Sequence, residues 1–309
     1  MIEKVDSFRK TLVTGGTGYI GTRLINFFIK NEHSFIVLTN SAKTQKKNYI
    51  FLKDINQIPS KAFEGVDRVV HLAGISRDID GYNEEIEKKY FEANVKFVEN
   101  ILYKAIEEKV KSFVFISSTK AGYSDLDSSK ENNSNENQPG IYALTKREAE
   151  KRVLEIASDK NIKVDIIRPS LVFGPETKGN LRLFINLIKR GIKLKFYSLK
   201  NRKSLVHVDD VVHAINFLSL NSSGGEIYNV CGNNYDLNEI SEIISKIYTN
   251  KYITIGIPKV ILESILKFSF SKKYFFEKLK REEIYSSEKI KNLGFSFSKT
   301  LRNIDKSDY

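Results

Sequence analysis

The segment Tyr142-Ala143-Leu144-Thr145-Lys146 sets a phenol and an ammonium four positions apart, which puts both on one face of a helix. A free tyrosine has a pKa near ~10 and is a poor base at neutral pH. A neighbouring ammonium favours the phenolate and brings it towards working range. Alone, such a pair is commonplace and usually structural. Two other features give it weight. Ser117-Ser118-Thr119 closes an apolar run with hydroxyls that could orient a reacting oxygen. Near the N-terminus, Thr14-Gly15-Gly16-Thr17-Gly18-Tyr19-Ile20-Gly21 follows a short apolar run and opens a helical pattern. In such a loop Gly15 makes the tight turn, Gly18 lets a pyrophosphate approach the backbone, and Gly21 allows close helix–strand packing. The phosphates would sit at the positive end of the helix that begins at Tyr19.

The elements that must position these groups alternate in period. Strands are expected at Thr11–Thr14, Phe35–Thr39, Val66–Ala73, Lys111–Ser117 and Ile162–Ile167, the last ended by Pro169. Between them the spacing predicts helices over Tyr19–Lys30, Glu84–Lys109 and Ile141–Ala157. This is the rhythm of an α/β, doubly wound parallel sheet of the Rossmann type. After Gly174-Pro175 the pattern is less regular, with helices at Leu181–Arg190 and Val211–Leu220 and strands at Ser204–Val208 and Glu226–Val230. A dinucleotide-binding domain over residues 1–170, to which 203–230 returns, and a smaller C-terminal α/β substrate lobe over 171–309 are expected. Ser124–Pro139 is almost free of apolar residues and reads as a solvated loop or as a lid. The basic amphipathic stretch Pro258–Leu279 could lie on a membrane surface, and reads better as packing into the second lobe.

Composition narrows the classes. The chain has 309 residues, one cysteine and a net charge of +12. No apolar run approaches the roughly 20 residues that span a bilayer, so no membrane insertion is expected. Cys231 alone forms no intramolecular disulfide, which fits a cytoplasmic location. The lysines are scattered and the aromatics fall at core spacing, so nucleic acid is not the expected partner; the charge suits an anionic diphosphate. His71, His207 and Cys231 read as core residues, and no metal site is expected.

The end of the second strand should set adenosine specificity. An NAD site usually carries a carboxylate there for the ribose 2′-hydroxyl. Here Thr39 and Asn40 stand at that place, followed by Lys43, Lys46 and Lys47. The expected cofactor is NADP(H) or NAD(H), leaning to NADP(H), with the lysines alternatively a solvated loop face.

Taken together, GGTGYIG at 15–21, HLAG at 71–74, FISST at 115–119, YALTK at 142–146, IRPSLVFGP at 167–175 and NRKSLVHVDDVV at 201–212 resemble the extended short-chain dehydrogenase/reductase family of nucleotide-sugar epimerases, dehydratases and ketoreductases. The resemblance implies Tyr142, Lys146 and Thr119 as the catalytic set. It implies a cofactor path along Gly15, Thr17, Gly18, Tyr19, Ile20, Gly21, Thr39, Asn40, Leu72, Ala73, Gly74, Asn94, Ser117, Ser118, Pro169, Ser170 and Val172, with Lys146 on the nicotinamide ribose. For a UDP-sugar it implies Thr119, Lys120, Asn180, Arg202 and Lys203, with Arg281 a weaker counterpart of a second arginine. It also implies a homodimer through the helices at 84–109 and 141–157. The reaction expected is redox chemistry at C4 of a UDP-linked hexose or N-acetylhexosamine in surface-polysaccharide synthesis. The missing carboxylate at Thr39 tilts this slightly to a 4-keto-6-deoxy-sugar reductase over a 4-epimerase. A non-catalytic NADP-binding sensor is a remote alternative, because such proteins typically lose the tyrosine or the lysine.

Overall fold

A computed structural model describes residues 8–41, 46–76, 83–122, 140–197, 202–248, 251–257 and 282–305, excepting the side chains of residues 179, 180 and 183. The loop at Ser124–Pro139, the stretch Pro258–Leu279, Lys43 and Arg281 lie outside them.

The chain divides into two units. The first comprises Met1–Pro169, Val211–Val230 and Glu288–Phe295. Its strands are β1 (Thr11–Thr14), β2 (Phe35–Thr39), β3 (Tyr49–Phe51), β4 (Arg68–His71), β5 (Ser112–Ile116), β6 (Lys163–Pro169) and β10 (Glu226–Val230). They form one parallel sheet in the order β10-β6-β5-β4-β1-β2-β3. This is the expected doubly wound sheet. Every residue of β1, β2, β4 and β5 is buried, as a sheet covered on both faces requires. One face packs Leu12, Leu38, Val69, Phe113 and Ile166 against Val98, Ile101 and Leu102 and against Ala149 and Val153. The strand order reverses between β1 and β4, and in such sheets ligands bind beyond the carboxyl ends at that switch point.

The helices of this unit are α1 (Tyr19–Lys30), α2 (Glu84–Phe91), α3 (Phe97–Glu107), α4 (Ile141–Ala157), α6 (Val208–Asn221) from Val211 onward, and α8 (Glu288–Asn292). The single helix expected over 84–109 is interrupted by a π turn at Glu92–Lys96. Asn94 and Val95 of this turn are both buried.

The second unit comprises Ser170–Asp210, Cys231–Ser287 and Ser296–Tyr309. It holds a three-stranded sheet, β11 (Asn234–Asp236), β9 (Arg202–His207), β7 (Leu171–Phe173), and a parallel pair, β8 (Ile192–Phe196) with β12 (Ile253–Ile257). Helices α5 (Gly179–Lys189) and α7 (Leu237–Tyr248) also belong to it. Its core gathers Phe173, Ile185, Ile188, Leu205, Tyr235, Ile240, Ile244 and Leu301. The expected return of 203–230 to the first unit therefore starts later. β9 stays in the second unit, where it pairs with β7 and β11, and residues 288–295 join the first.

Candidate active site

The glycine loop joins β1 to α1 as expected. Gly15 has φ +70°, and a Cβ there would lie 2.6 Å from Ala73 N and 2.7 Å from the Leu72 carbonyl carbon. Only glycine can take that turn while the backbone after β4 presses against it. Gly21 comes closest to the loop itself: its Cβ would meet Gly15 O at 2.2 Å. A Cβ on Gly18 would meet only Gly15 O, at 3.1 Å, so this side of the loop is open to a ligand. Among the described residues no side chain caps α1, and no acidic residue stands in its first turn. Its N–H groups and positive dipole end are those a pyrophosphate needs. Thr17 is exposed, and Tyr19 and Ile20 are half-buried. The residues present fit a dinucleotide.

The turn after β4 is fastened to this loop. Leu72 N donates to Thr14 O at 3.1 Å and Ala73 N to Thr14 Oγ1 at 3.3 Å. That same hydroxyl lies 2.9 Å from His71 Nδ1. Burial first, and Lys146 second, push His71 down to about 3, so it is a neutral core group, as the sequence suggested. Asn94, 0% exposed, closes the turn from the other side. Its Oδ1 accepts from Ile75 N at 2.7 Å, and its Nδ2 donates to Ile75 O and Thr145 Oγ1. The π turn thus places a clamp between residues 74–75 and α4. Gly74 adjoins Lys146, since a Cβ on it would lie 3.7 Å from Nζ.

On α4, Tyr142 is 8% and Lys146 4% exposed. Lys146 Nζ donates to Ile116 O at 2.8 Å and lies 4.6 Å from the Phe115 ring centroid. Arg147 Nε donates to Ala121 O at 2.7 Å. These two bonds grip the chain on either side of residues 117–120. They hold the buried Thr119, which opens a short 3₁₀ turn, against the helix that carries Tyr142. Lys120 Nζ lies 5.8 Å from the Tyr142 ring centroid. Ser117 is buried, its N donates to Ile167 O, and its Oγ has no hydrogen-bond partner among the described residues. A polar ligand group at this strand end would satisfy it. Ser118 Oγ accepts from Lys120 N. Burial pushes the Lys146 ammonium down to about 8, against the opposing pull of the Glu150 carboxylate. Arg147 and Glu150 carry no motif of their own, and the sequence reading missed both.

At the end of β2, Thr39 is buried and its Oγ1 accepts from Ser41 N at 3.1 Å; Asn40 is exposed. Lys46 Nζ lies 5.7 Å from the Tyr49 ring centroid, and Lys47 is exposed.

The remaining predicted residues belong to the second unit, apart from Pro169, which ends β6 opposite Val230. Ser170 is buried and Val172 is half-buried on β7. Lys203 is 5% exposed, and its Nζ donates to Glu283 Oε2 at 3.0 Å. Ser204 N donates to Glu283 O and Glu283 N to Arg202 O, so residues 282–285 run beside β9. Arg202 is exposed and lies 3.5 Å from Glu282. The two basic residues expected to meet a diphosphate thus have glutamate partners that sequence reasoning did not foresee. Asn180 is the second residue of α5, beside a cleft of about 440 Å³ lined by Thr177, Lys178, Arg182, Ile185, Asn186 and Lys189. Among the described residues no group of three His, Cys, Asp or Glu side chains could hold a metal, and no helix is long and apolar enough to cross a membrane. Cys231 is buried, and burial pushes its thiol up to about 11.

Residues 11–231 match the NAD-dependent epimerase/dehydratase family. The chain belongs to that family. Among curated proteins it is 32% identical over 217 residues to UDP-glucose 4-epimerase of Vibrio cholerae, across 67% of this chain and 65% of that one. It is 28% identical over 230 residues to N-acetyl-alpha-D-glucosaminyl-diphospho-ditrans,octacis-undecaprenol 4-epimerase of Escherichia coli, across 71% and 66% of the two chains. The chain thus spans about two thirds of the length of these relatives. In fold it resembles UDP-glucose 4-epimerase of Thermotoga maritima, with TM-score 0.70, 22% identity and 95% of each chain covered.

Proposed function

We propose that this protein is a nucleotide-sugar 4-epimerase, acting on a UDP-linked hexose or N-acetylhexosamine, with Tyr142 as the proton-transfer group. The observation that carries the reading is the buried Tyr142–Lys146 pair, held by Lys146 and Arg147 against the Ser117–Lys120 segment in the unit that carries the glycine loop. Likeness to two 4-epimerases among the relatives favours this direction over the reductase suggested by Thr39.

The chemistry a nicotinamide would supply here, when bound, is acceptance and return of the C4 hydride. The residues of this chain do the rest. Tyr142, acidified by the Lys146 ammonium, accepts the proton of the sugar 4-hydroxyl and gives it back to the ketone oxygen. The Thr119 hydroxyl orients that oxygen. Ala73, fixed by Thr14, and Gly74, next to the Ile75 that Asn94 clamps, would border the cofactor beside Lys146. For the nucleotide, Lys203, Arg202, Asn180 and Arg281 are the candidates.

The second reading is a 4-keto-6-deoxy-sugar reductase using NADPH, favoured by the uncharged Thr39 at the place of the usual carboxylate. Incubation with UDP-N-acetylglucosamine and with its 4-keto-6-deoxy derivative, each with and without added NADPH, separates the two. The epimerase reading expects epimer without added cofactor. NADPH oxidation seen only with the ketone would replace it with the reductase.

A further inference from the structure

Tyr142, Lys146 and Glu150 stand at i, i+4 and i+8 on α4, and all three are buried, at 8%, 4% and 2% exposure. A lysine and a glutamate one turn apart in a buried row would ordinarily close on each other as an ion pair. Here they do not. Lys146 Nζ donates to Ile116 O. Both Glu150 oxygens are taken by Arg168 on β6, Nε to Oε1 at 2.9 Å and Nη2 to Oε2 at 2.7 Å. A planar guanidinium gripping a carboxylate in two places fixes position as well as charge.

We propose that the Glu150–Arg168 ion pair is a positioning device for the proton-handling pair: it holds the carboxylate away from the lysine with its own charge balanced, so that the ammonium stays seated on Ile116 O and free to act on Tyr142.

The inference rests on the proton-transfer reading above. Two opposed contributions make the device. An unbalanced carboxylate one turn from Lys146 would capture the ammonium and pull it off Ile116. With the carboxylate removed and the Arg168 cation left unbalanced, burial and that charge together would strip the proton, since burial already acts in that direction and Glu150 is what opposes it. The pair holds the balance. Among the described residues, the titratable and charged groups facing this lysine are Tyr142 and Glu150 from α4, the neutral His71 from β4, and Arg168 from β6 through Glu150; Lys120 lies over the Tyr142 ring. A salt bridge that served only to tie α4 to β6 would not care about the charge state of Lys146.

The test is to follow the titration of Lys146 by NMR of 13Cε-lysine-labelled full-length protein, assigning the signal by its loss in Lys146→Met. Relative to wild type, Glu150→Gln is expected to lower the titration midpoint and Arg168→Gln to raise it, each by roughly one pH unit. The double variant Glu150→Gln/Arg168→Gln returns near the wild-type midpoint, and the alkaline limb of kcat moves in the same three ways. Should a single variant not fold, Glu150→Asp and Arg168→Lys keep the charges and change the fit; these are expected to lower kcat several-fold with KM and midpoint little changed. Midpoints that stay put, or that move in the same direction in both single variants, overturn the inference whatever Tyr142→Phe does. Full turnover in Tyr142→Phe removes the proton-transfer reading instead, whatever the midpoints do.

Discussion

Two buried lysines, one in each unit, show how differently the same side chain can be used. Lys146 and Lys203 are almost equally hidden, at 4% and 5% exposure. Lys203 lies against the Glu283 carboxylate at 3.0 Å. Lys146 is seated on a neutral carbonyl and an aromatic face, with the nearby carboxylate committed to Arg168. A charge beside its counter-ion has a short reach, whereas one bonded to a neutral acceptor in a poorly solvated site projects its field onto its neighbours. The neighbour of Lys146 on its helix face is Tyr142. The contrast teaches that burial alone does not set what a lysine's charge can act on; what it is paired with does.

That contrast can be broken in order of expected effect. Lys146→Met should lower kcat by about two to three orders of magnitude, because Tyr142 loses the ammonium one turn along its helix face; steady-state turnover measures this, and a loss under tenfold would refute the role. Lys203→Met should leave kcat nearly intact and raise KM for the UDP-sugar by about tenfold, the signature of binding shared by ground and transition states. It also leaves Glu283 without that partner, so the melting free energy should fall by about 1–3 kcal/mol. An equal fall in kcat for both lysine variants would erase the distinction.

The pH dependence sharpens it further. Lys146 is pushed to about 8 in the folded protein from an ordinary 10.5. Activity should therefore decline above about pH 8 as the ammonium is lost. The stability sign is the reverse. Between about pH 8 and 10.5 the unfolded chain holds a proton at this group that the folded chain has released, so stability rises with pH across that window. The gain, up to ~3 kcal/mol, should disappear in a denaturation series on Lys146→Met. The smallest effect is expected of Glu283→Gln, which leaves Lys203 its hydrogen bond without the counter-charge and should change KM by only a few-fold, read from initial rates.

Much of the first unit was legible because backbone rules write themselves into spacing. The loop Gly15–Gly21, the strands from Thr11 to Ile116 and the helix under Tyr142 and Lys146 each announce themselves locally, by period or by a residue only one turn tolerates. What escaped was non-local or a break in period. The π turn at Glu92–Lys96 adds one residue within an apolar pattern that still reads as a helix. Arg168 meets Glu150 across 18 residues and Lys203 meets Glu283 across 80, and neither separation leaves a mark on hydrophobic spacing. β3, β8, β11 and β12 are short strands at sheet margins with little alternation, and α7, though strongly amphipathic, follows them in the less regular half. The resemblance named Asn94, but only the fold shows its side chain clamping residues 74–75 to α4 through Ile75 and Thr145.

Proton transfer by Tyr142 can be read from single-turnover measurement on Tyr142→Phe with a UDP-hexose. The variant's rate is expected to be lower by about a thousandfold, with dinucleotide affinity within a few-fold of wild type. Turnover at the wild-type rate would contradict it.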